Sequence, residues 1–350
     1  MTDDIRNRRV AIVVVFYENA ADTIRCIESV RLLEHPTYDM ILVNNGSSEL
    51  ESHRVRRWLV ENIPSHSLHL VGHSFRHPQR AKSRPLGDVA PAIHLLETGS
   101  NSGFAGGCNL GIVYAMDSAS PDFVLILNND ALASPTLLGE LLRFAEENPR
   151  TGVIGATILT YDDSRISSAG SDLNLWAGAW EKRFDLGLAY VSVPKAPRFV
   201  DKVEGSCLMV PNAVLDQVGL LDPSYFLYWE DADFCFRVKK AGYEVANIAT
   251  ATVRHKVSAS THMHTGLKQY YMQRNRMFFL RRHASQGQLL LGFPGAVVAS
   301  IRTLFAIVGE SKSISGVLAA FARGWMDGLT APLASPPALA AYQGDDRLSA

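Results

Sequence analysis

The sequence predicts an α/β fold with an open, mostly parallel sheet, and three consecutive segments indicate it. Val10–Phe16 is a continuous apolar and β-branched run, as expected of a strand buried on both faces of a parallel sheet. Residues 21–33 carry apolar side chains at helical spacing, and Met40–Val43 is a second apolar run. Strand, helix and strand in this order begin a βαβ unit.

The next elements repeat this alternation. A helix is expected at about 50–62 and a short strand at Leu68–Val71. The apolar runs Ala92–Leu96 and Phe123–Leu127 predict two more buried strands, with a glycine-rich segment and a helix between them. Residues 72–92 are expected to form an irregular insertion, because prolines and other breakers interrupt them. Strand–helix steps repeated over about 150 residues complete the open sheet.

The sequence beyond this region is less regular. A capping serine and a first-turn proline precede regularly spaced leucines in Ser134–Glu146, which predicts a helix. Short β-like runs alternate with loops from 151 to 260. A helix rich in aromatic and basic residues is expected at about 265–283.

Residues 284–350 are expected to form a helical extension. Its apolar run is Leu289–Val308, which Pro294, Gly295 and Arg302 interrupt. A spanning helix needs about 20 predominantly apolar residues, and an arginine near its centre costs several kcal/mol. Three alternatives stay open, in decreasing order of preference: peripheral contact with a membrane, packing against this chain or in a homodimer, and a true span.

The composition argues against several partners and sites. With 34 Lys and Arg against 35 Asp and Glu, the formal net charge is −1, so no basic surface for nucleic acid is expected. The four cysteines are far apart, and neither a zinc site nor a disulfide framework is indicated. No signal peptide is apparent in the polar first residues, so we expect a cytoplasmic protein.

Two residues that are far apart in the sequence are candidate metal ligands. Asp130 follows the buried strand at 123–127, where a carboxylate can bind a divalent cation that holds a diphosphate. Its alternative role, capping the next helix, is already filled by Ser134. His255 ends a later β-like run and is a second candidate ligand, although a lone histidine is more often structural.

An acidic cluster, Glu230, Asp231 and Asp233, lies among aromatic residues and is a candidate catalytic centre. Burial and mutual repulsion raise the pKa values of such acids, which is costly if the cluster is only structural. The structural alternative is a helix N-terminus that collects acids against its dipole, with Arg237 as an ion-pair partner. We expect Asp231 to act as a general base and Glu230 to orient the acceptor.

The segment from Asn101 to Gly111 is expected to form a loop, with four glycines and no charge. Its backbone amides are suited to approach a phosphate or a ribose, and the alternative is a tight turn before a helix. The dinucleotide fingerprint G-x-G-x-x-G is absent, which argues against a nicotinamide dehydrogenase.

Several motifs together resemble family 2 inverting glycosyltransferases, in particular their bacterial rhamnosyltransferase-like branch. The most specific is Asn101–Asn109, which matches N-x-G-F-A-G-G-x-N. Asn128–Asp130 stands at the position of the D-x-D metal motif, and Glu230–Arg237 matches E-D-x-D-x-x-x-R. The segment Ile41–Ser47 resembles V-D-N-G-S, with Asn44 in place of the usual aspartate.

Three shorter matches extend the resemblance over about 10–283. Val10–Tyr17 with Asn19 resembles the opening strand and its nucleotide-contacting turn. His255 resembles the late histidine of the metal site, and Tyr271–Asn275 resembles Y-x-x-R-N.

The resemblance implies a GT-A fold over 1–283, with a nucleotide half at about 10–150 and an acceptor half at about 151–283. It implies that Asp130 and His255 bind Mg²⁺ or Mn²⁺, and that Trp229 and Glu230 contact the acceptor. The residues assigned to the nucleotide sugar are Tyr17, Asn19, Asn44, Asn45, Gly103, Phe104, Gly106, Asn109, Asn129 and Arg274.

The implied reaction is a displacement at the anomeric carbon with inversion, in which Asp231 takes the proton of an acceptor hydroxyl. The resemblance favours a dTDP-rhamnose donor, with UDP-sugars as the alternative. It favours a glycan or lipid-linked acceptor in the synthesis of cell-envelope polysaccharide. Such an enzyme is expected in the cytoplasm, with peripheral attachment at the inner face of the membrane.

Two other functions compete with this one. A nucleotidyltransferase shares metal-dependent diphosphate chemistry, but it needs a basic glycine-rich motif after its first strand, and Tyr17–Ala21 has no basic residue. A non-catalytic sugar-binding protein on the same fold is expected to lose the reactive groups, whereas Asp130, Asp231 and His255 are all present.

Overall fold

A computed structural model describes residues 3–71, 91–161, 164–256, 265–308 and 314–333, so most of the insertion predicted at 72–92 lies outside the described residues. The helices are α1 (Asp3–Asn7), α2 (Ala20–Val30), α3 (Glu49–Asn62), α4 (Gly103–Ala119), α5 (Leu137–Glu147), α6 (Asn212–Val218), α7 (Glu230–Lys240), α8 (Thr265–His283), α9 (Gln286–Val308) and α10 (Ile314–Thr330). The strands are β1 (Val10–Phe16), β2 (Tyr38–Asn44), β3 (Leu68–Val71), β4 (Ile93–Glu97), β5 (Phe123–Asn128), β6 (Ala131–Ala133), β7 (Thr151–Thr160), β8 (Ile166–Ser168), β9 (Ser171–Asn174), β10 (Trp180–Arg183), β11 (Arg198–Phe199), β12 (Cys207–Pro211) and β13 (Glu244–His255).

Most of the described strands form one large sheet, in the order β11-β13-β7-β12-β5-β1-β2-β4-β3. β1 is parallel to β2 and β5, and β4 is parallel to β2 and β3. β12 is antiparallel to both of its neighbours, whereas β7 and β13 are parallel to each other. The short strands β6 and β8 pair with β13 and β7, and β9 and β10 form a separate hairpin. The predicted α/β class with a mostly parallel sheet is confirmed.

Helices cover both faces of the sheet, so the central strands are buried along their whole length. One core contains Leu59 of α3 and Leu141 of α5. The other contains Ile112 of α4 and Phe234 of α7. Burial on both faces explains why the strand sequences are continuous apolar runs without alternation.

The register of the parallel strands aligns their carboxyl ends at one edge of the sheet. Phe16 pairs with Asn44, and Asn44 pairs with Glu97. Val15 pairs with Asn128 on the other side. Ligands of open α/β sheets bind in the crevice at this edge. Four of the predicted nucleotide and metal residues follow within two positions of these strand ends: Tyr17, Asn45, Asn129 and Asp130.

The glycine-rich segment differs from the predicted loop, because α4 begins at Gly103 and contains the remaining glycines. Close packing on β1 explains two of them. A Cβ atom at Gly107 would lie 2.7 Å from Val15 Cγ1, and one at Gly111 would lie 2.5 Å from Val13 Cγ1. Small residues therefore let this helix lie directly on the sheet.

The predicted start of α5 is also corrected. The helix begins at Leu137 instead of Ser134, and its N-cap residue is Thr136 without a side-chain cap hydrogen bond. The Ser134 hydroxyl is buried and makes no hydrogen bond within the described chain.

The C-terminal helix α10 packs along α8. A Cβ atom at Gly324 would lie 2.5 Å from the Tyr270 carbonyl oxygen, so the two backbones are in close contact. Trp325 Nε1 lies 3.3 Å from Gln273 Oε1, and Arg281 donates to two carbonyl oxygens at the end of α10. The C-terminal part of the extension therefore packs against this chain, and contact of Leu289–Val308 with a membrane or a second subunit stays a prediction.

Helix α9 packs against residues 175–178, where Cβ atoms at Gly292 and Gly295 would lie 2.5 Å and 2.7 Å from backbone carbonyl oxygens. Its exposed apolar side chains are Leu290, Leu291, Phe293, Val298 and Ile301. We call these five side chains the outer face of α9. Within the described ranges, no helix has the length and apolar character that a membrane span requires.

Candidate active site

Asp130 and His255 meet at the carboxyl edge of the sheet. After β5 ends at Asn128, β6 runs antiparallel to the end of β13, with Ala131 paired to His255. This pairing brings His255 Nε2 to 2.9 Å from Asp130 Oδ1. Both side chains are largely buried. The two predicted metal ligands are therefore adjacent in space.

Asn128 lies at the same corner. Its Nδ2 is 3.2 Å from His255 Nε2, while its Oδ1 is buried and makes no hydrogen bond to any described residue. Turning the amide over exchanges the two atoms and brings the oxygen towards the histidine. A carboxylate oxygen, an imidazole nitrogen and an amide oxygen are suited to Mg²⁺ or Mn²⁺. No group of three or more His, Cys, Asp or Glu converges in the part of the chain that is described.

The start of α2 borders this corner. Asn129 donates to Thr23 Oγ1 at 2.9 Å, and Asn19 is the N-cap of the helix, with its side chain bonded to Asp22. Lys256 Nζ lies 3.1 Å from Asp22 Oδ2. Sequence reasoning missed this lysine, and its position directly after a predicted ligand is the signal that would have found it.

Asn44 is buried and pairs with a carboxylate from the neighbouring strand. Its Nδ2 donates to Glu97 Oε2 at 2.5 Å and to Ser52 Oγ at 2.8 Å. Arg56 lies 2.8 Å from Oε1 of the same glutamate. Glu97, which sequence reasoning missed, therefore places a carboxylate beside Asn44. Tyr17, at the end of β1, is 44% exposed at the same edge.

Asn45 organises the start of α4. Its Oδ1 accepts from the backbone amide and the hydroxyl of Ser102, and its Nδ2 donates to the Gly103 carbonyl oxygen. Gly103 has a φ of +78°, and a Cβ atom there would lie 2.5 Å from the Phe226 carbonyl oxygen. That oxygen accepts from the Phe104 amide at 2.7 Å. Glycine at 103 is therefore required for this contact.

Two further residues assigned to the nucleotide lie within α4. Asn109 is fully buried, and it exchanges two hydrogen bonds with the Leu221 backbone. These bonds give Asn109 a role in the fold, and its contact with a nucleotide stays a prediction. A Cβ atom at Gly106 would lie 2.8 Å from Ser102 Cβ, so this glycine lets the first turn close.

The first turn of α7 carries two of the acids. Asp231 accepts hydrogen bonds from the amides of Gly205 and Ala232, at 3.0 Å and 2.7 Å. Glu230 is buried, and its Oε2 has no partner among the described residues. Burial raises the pKa of Glu230 to about 8, and the negative charge of Asp231 adds to the effect. Burial and the neighbouring carboxylate therefore both favour the protonated form of Glu230.

Asp233, the third acid, has a structural role. It is fully buried. Its carboxylate accepts hydrogen bonds from Arg237 Nε and His283 Nε2, each at 2.8 Å, and from Arg282 Nη1 at 3.1 Å. Burial alone would raise the pKa of Asp233, but the hydrogen bond from His283 and the charge of Arg237 outweigh it and hold the pKa well below its usual range. The structural alternative is thus correct for this acid and its partner Arg237.

The loop before α7 is strained. Phe226, Tyr228 and Trp229 all have positive φ, between 62° and 74°, which non-glycine residues rarely adopt. Asn275 of α8 is fully buried and donates to three carbonyl oxygens of residues 225–228, each at 2.8 Å. This contact holds the loop in the conformation that presents the acids. Sequence reasoning identified the segment around Asn275 but not this role.

Arg274, the residue assigned to the phosphates, lies beside Asn275. Its Nη1 donates to the Ser224 carbonyl oxygen at 2.8 Å and to Asn275 Oδ1 at 2.7 Å. In this structure it supports the same loop, and contact with a nucleotide stays a prediction. Trp229, assigned to the acceptor, has a buried Nε1 with no partner in the described ranges.

Comparison with known proteins gives a family and several relatives. The sequence model described as "Glycosyltransferase like family 2" matches residues 7–279. A Haloferax volcanii protein named low-salt glycan biosynthesis hexosyltransferase Agl10 is 26% identical over 185 residues, 53% of this chain and 59% of the relative. A Mycobacterium tuberculosis protein named N-acetylglucosaminyl-diphospho-decaprenol L-rhamnosyltransferase is 31% identical over 187 residues, 49% of this chain and 61% of the relative. The matches thus span about three fifths of these relatives' length.

The fold is similar to that of solved glycosyltransferases. The mannosyltransferase PcManGT from Pyrobaculum calidifontis, in complex with GDP-Man and Mn²⁺, has a TM-score of 0.55 at 13% identity. The similarity covers 93% of this chain and 88% of the other. At this identity the likeness concerns the fold alone, and it confirms the predicted GT-A architecture.

Proposed function

Because the chain belongs to glycosyltransferase family 2, we propose that it moves a sugar, with inversion, from a nucleoside-diphosphate donor to a hydroxyl of a glycan or lipid-linked glycan. One observation carries this proposal. The Gly205 amide donates to Asp231, and the carbonyl of the next residue, Ser206, accepts from the Asn128 amide. The candidate base and the candidate metal residues therefore border one site.

Asp231 is the proposed general base. As the acceptor oxygen bonds to the anomeric carbon, the bond to the nucleoside diphosphate breaks and the hydroxyl proton moves to the Asp231 carboxylate. The two amides that donate to Asp231 hold the carboxylate in place. Protonated Glu230 adds no second negative charge beside it and can donate a hydrogen bond to the acceptor.

Asp130 and His255 are the proposed ligands of Mg²⁺ or Mn²⁺, with Asn128 as a third donor. A bound divalent cation would supply positive charge to the departing diphosphate. The Asn128 amide supports this assignment, because turning it over would bring its oxygen to the side on which His255 lies. The Mn²⁺ in the Pyrobaculum calidifontis complex agrees with it.

Rhamnose from dTDP-rhamnose is the proposed sugar, and a UDP-sugar is the alternative. The relative named as an L-rhamnosyltransferase supports this choice, and the acceptor in its name supports a lipid-linked one. We also propose that the outer face of α9 contacts the cytoplasmic side of the membrane that carries such an acceptor, because its five apolar side chains are exposed.

A panel of nucleotide sugars tests the function. Release of nucleoside diphosphate is measured with and without Mn²⁺ for dTDP-rhamnose, UDP-glucose and GDP-mannose, with Asp231→Asn as the inactive control. We expect dTDP-rhamnose to be turned over fastest. Binding without any release, from any donor and with any candidate acceptor, would favour the non-catalytic sugar-binding protein instead.

A further inference from the structure

The segment between β11 and β12 contacts both parts of the proposed catalytic site. Its Gly205 amide donates to Asp231 Oδ2 at 3.0 Å, and its Ser206 carbonyl oxygen accepts from the Asn128 amide at 3.0 Å. The next residue, Cys207, already belongs to β12, which pairs with β5. The sheet therefore holds the Ser206 end of the segment in place.

Lys202 lies at the other end of the segment, where the β9-β10 hairpin holds it. Its backbone exchanges two hydrogen bonds, each of 3.0 Å, with Ser171 at the start of β9. Its Nζ lies 3.3 Å from Glu181 Oε1 on β10, and Ser171 Oγ donates to the same oxygen at 2.8 Å. The hairpin therefore contacts Lys202 through both the backbone and the side chain.

The Lys202 side chain is largely buried among acids, with only 13% of it exposed. Glu181 and Glu204 lie 3.3 Å and 3.9 Å from its Nζ. Burial would lower its pKa, but the negative charges of Glu181, Glu204 and Asp231 outweigh this effect and raise the pKa well above its ordinary value. Burial would likewise raise the pKa of Glu181, but the charges of Lys202 and Arg183 lower it to about 2. Both partners of the Lys202–Glu181 pair are therefore charged.

The position of the Asp231 carboxylate depends on this segment. One carboxylate oxygen accepts from the Ala232 amide on its own helix, whereas the other accepts from Gly205, 26 positions away in the sequence. The second bond ties the carboxylate to the sheet, and it requires that Gly205 stay in place. A displacement of about 1 Å at a catalytic group can slow a reaction about 10²-fold.

We propose that Lys202 is a positioning residue of the reaction, whose ion pair with Glu181 holds the Gly205 amide against the Asp231 carboxylate. The proposal rests on the function proposed above, because it takes Asp231 as the base. Since β12 holds the Ser206 end independently, loss of Lys202 should affect the base and leave the donor corner intact.

The test uses two variants that separate position from stability. Lys202→Met removes the cation that Glu181 and Glu204 both contact, so we expect a lower midpoint of urea unfolding. The double variant Lys202→Met/Glu181→Gln removes both charges of the pair, and its midpoint should return towards the wild-type value. The other partner of Glu181, Arg183, is 47% exposed and keeps its hydration.

Turnover should not recover together with stability. In both variants we expect the release of nucleoside diphosphate, from the best donor of the panel and with Mn²⁺, to be about 10–10²-fold slower than in the wild type. The donor KM and the affinity for dTDP with Mn²⁺ should stay nearly unchanged. Lys182→Met, an exposed lysine beside Glu181 on β10, is the matched control and should behave as the wild type in every measurement.

Amide hydrogen exchange measures the contact itself and does not require activity. We expect peptides that contain Gly205 to exchange at least about tenfold faster in the double variant, and peptides of β5 to exchange as in the wild type. Wild-type turnover or wild-type exchange at Gly205 in the double variant would overturn the proposal. Weaker binding of dTDP with Mn²⁺ would also overturn it, because the effect would then lie at the donor corner.

The unfolding midpoints test the ion pair separately. If the midpoint of the double variant were no higher than that of Lys202→Met, Glu181 would not be the partner that matters and the proposal would fail. If the wild-type protein released nucleoside diphosphate from none of the donors, the proposed function would fail instead. Exchange at Gly205 would still show whether Lys202 holds the segment.

Discussion

Asp233 Oδ1 lies 2.8 Å from His283 Nε2, and this contact joins the first turn of α7 to the last turn of α8. The two residues are separated by 50 positions in the sequence. Because Asp231 is two residues before Asp233, this ion-pair network holds the turn that carries the proposed base.

Asp233→Asn is expected to destabilise the protein by about 3–5 kcal/mol, because it removes the counter-charge of the largely buried Arg237 and one of the two carboxylates that pair with Arg282. The folded-state pKa of Asp233 is lowered, so its stabilisation is fully present above pH about 4 and is lost as the pH falls towards the folded value. Urea unfolding of both proteins between pH 3 and pH 7 measures this. A difference that stays constant over that range would contradict it.

Asp231→Asn is expected to lower turnover by at least about 10²-fold while donor affinity stays nearly unchanged, since general bases contribute about 10²–10⁴-fold. Asp216→Asn, on the exposed side of α6, is the matched control. Turnover close to that of the wild type would remove Asp231 from the mechanism.

Glu230→Gln tests the raised pKa of Glu230. A carboxyl group whose pKa rises from 4.5 to about 8 on folding costs stability increasingly as the pH rises through that window. The variant mimics the protonated acid and lacks this cost. We therefore expect the variant to have a higher midpoint of urea unfolding than the wild type at pH 8.5. Near pH 4.5 the two midpoints should be similar. No gain at high pH would be inconsistent with a buried, protonated Glu230.

Asp130→Ala is expected to abolish the increase in nucleoside-diphosphate affinity that Mn²⁺ or Mg²⁺ gives, because the carboxylate acts on the cation and the diphosphate together. Calorimetry with dTDP, with and without metal, measures it, and Asp216→Asn again serves as the control. The assignment fails if metal strengthens binding equally in both variants.

The outer face of α9 can be tested without disturbing the helix packing beneath it. Leu290 and Leu291 are 76% and 65% exposed, so replacing both with serine should leave the unfolding midpoint unchanged. We expect the double variant to bind phosphatidylglycerol vesicles at least about tenfold more weakly. Leu186 and Leu188, exposed on a different loop, give a matched double-serine control. If both double variants bound the vesicles equally, the outer face would not be the membrane contact. Contact with a second copy of the chain would then be the remaining explanation for its exposed apolar side chains.

The sequence predicted the elements that depend on local pattern. The apolar runs of β1 and β5 identified buried strands, and the polar residues after them identified the corner where Asp130 and His255 meet. These predictions succeed because strand burial and the alignment of carboxyl ends follow from periodicity and chain direction.

The supporting contacts were beyond such reasoning, because they join residues that are far apart in the chain. Asn275 and the loop it holds are nearly 50 positions apart, and no local pattern signals a left-handed Trp229. The glycines of α4 were assigned to a loop for a related reason: their small size serves packing on β1, which only the assembled sheet reveals.

The pair formed by Asn44 and Glu97 limits which substitutions this edge of the sheet accepts. The amide of Asn44 lies 2.5 Å from the glutamate oxygen, a distance at which two ionised carboxylates repel strongly. The neutral amide on β2 is therefore matched to the carboxylate on β4, which also pairs with Arg56. An aspartate at position 44 is expected to fit this edge of the sheet only if position 97 carries a neutral side chain in the same molecule.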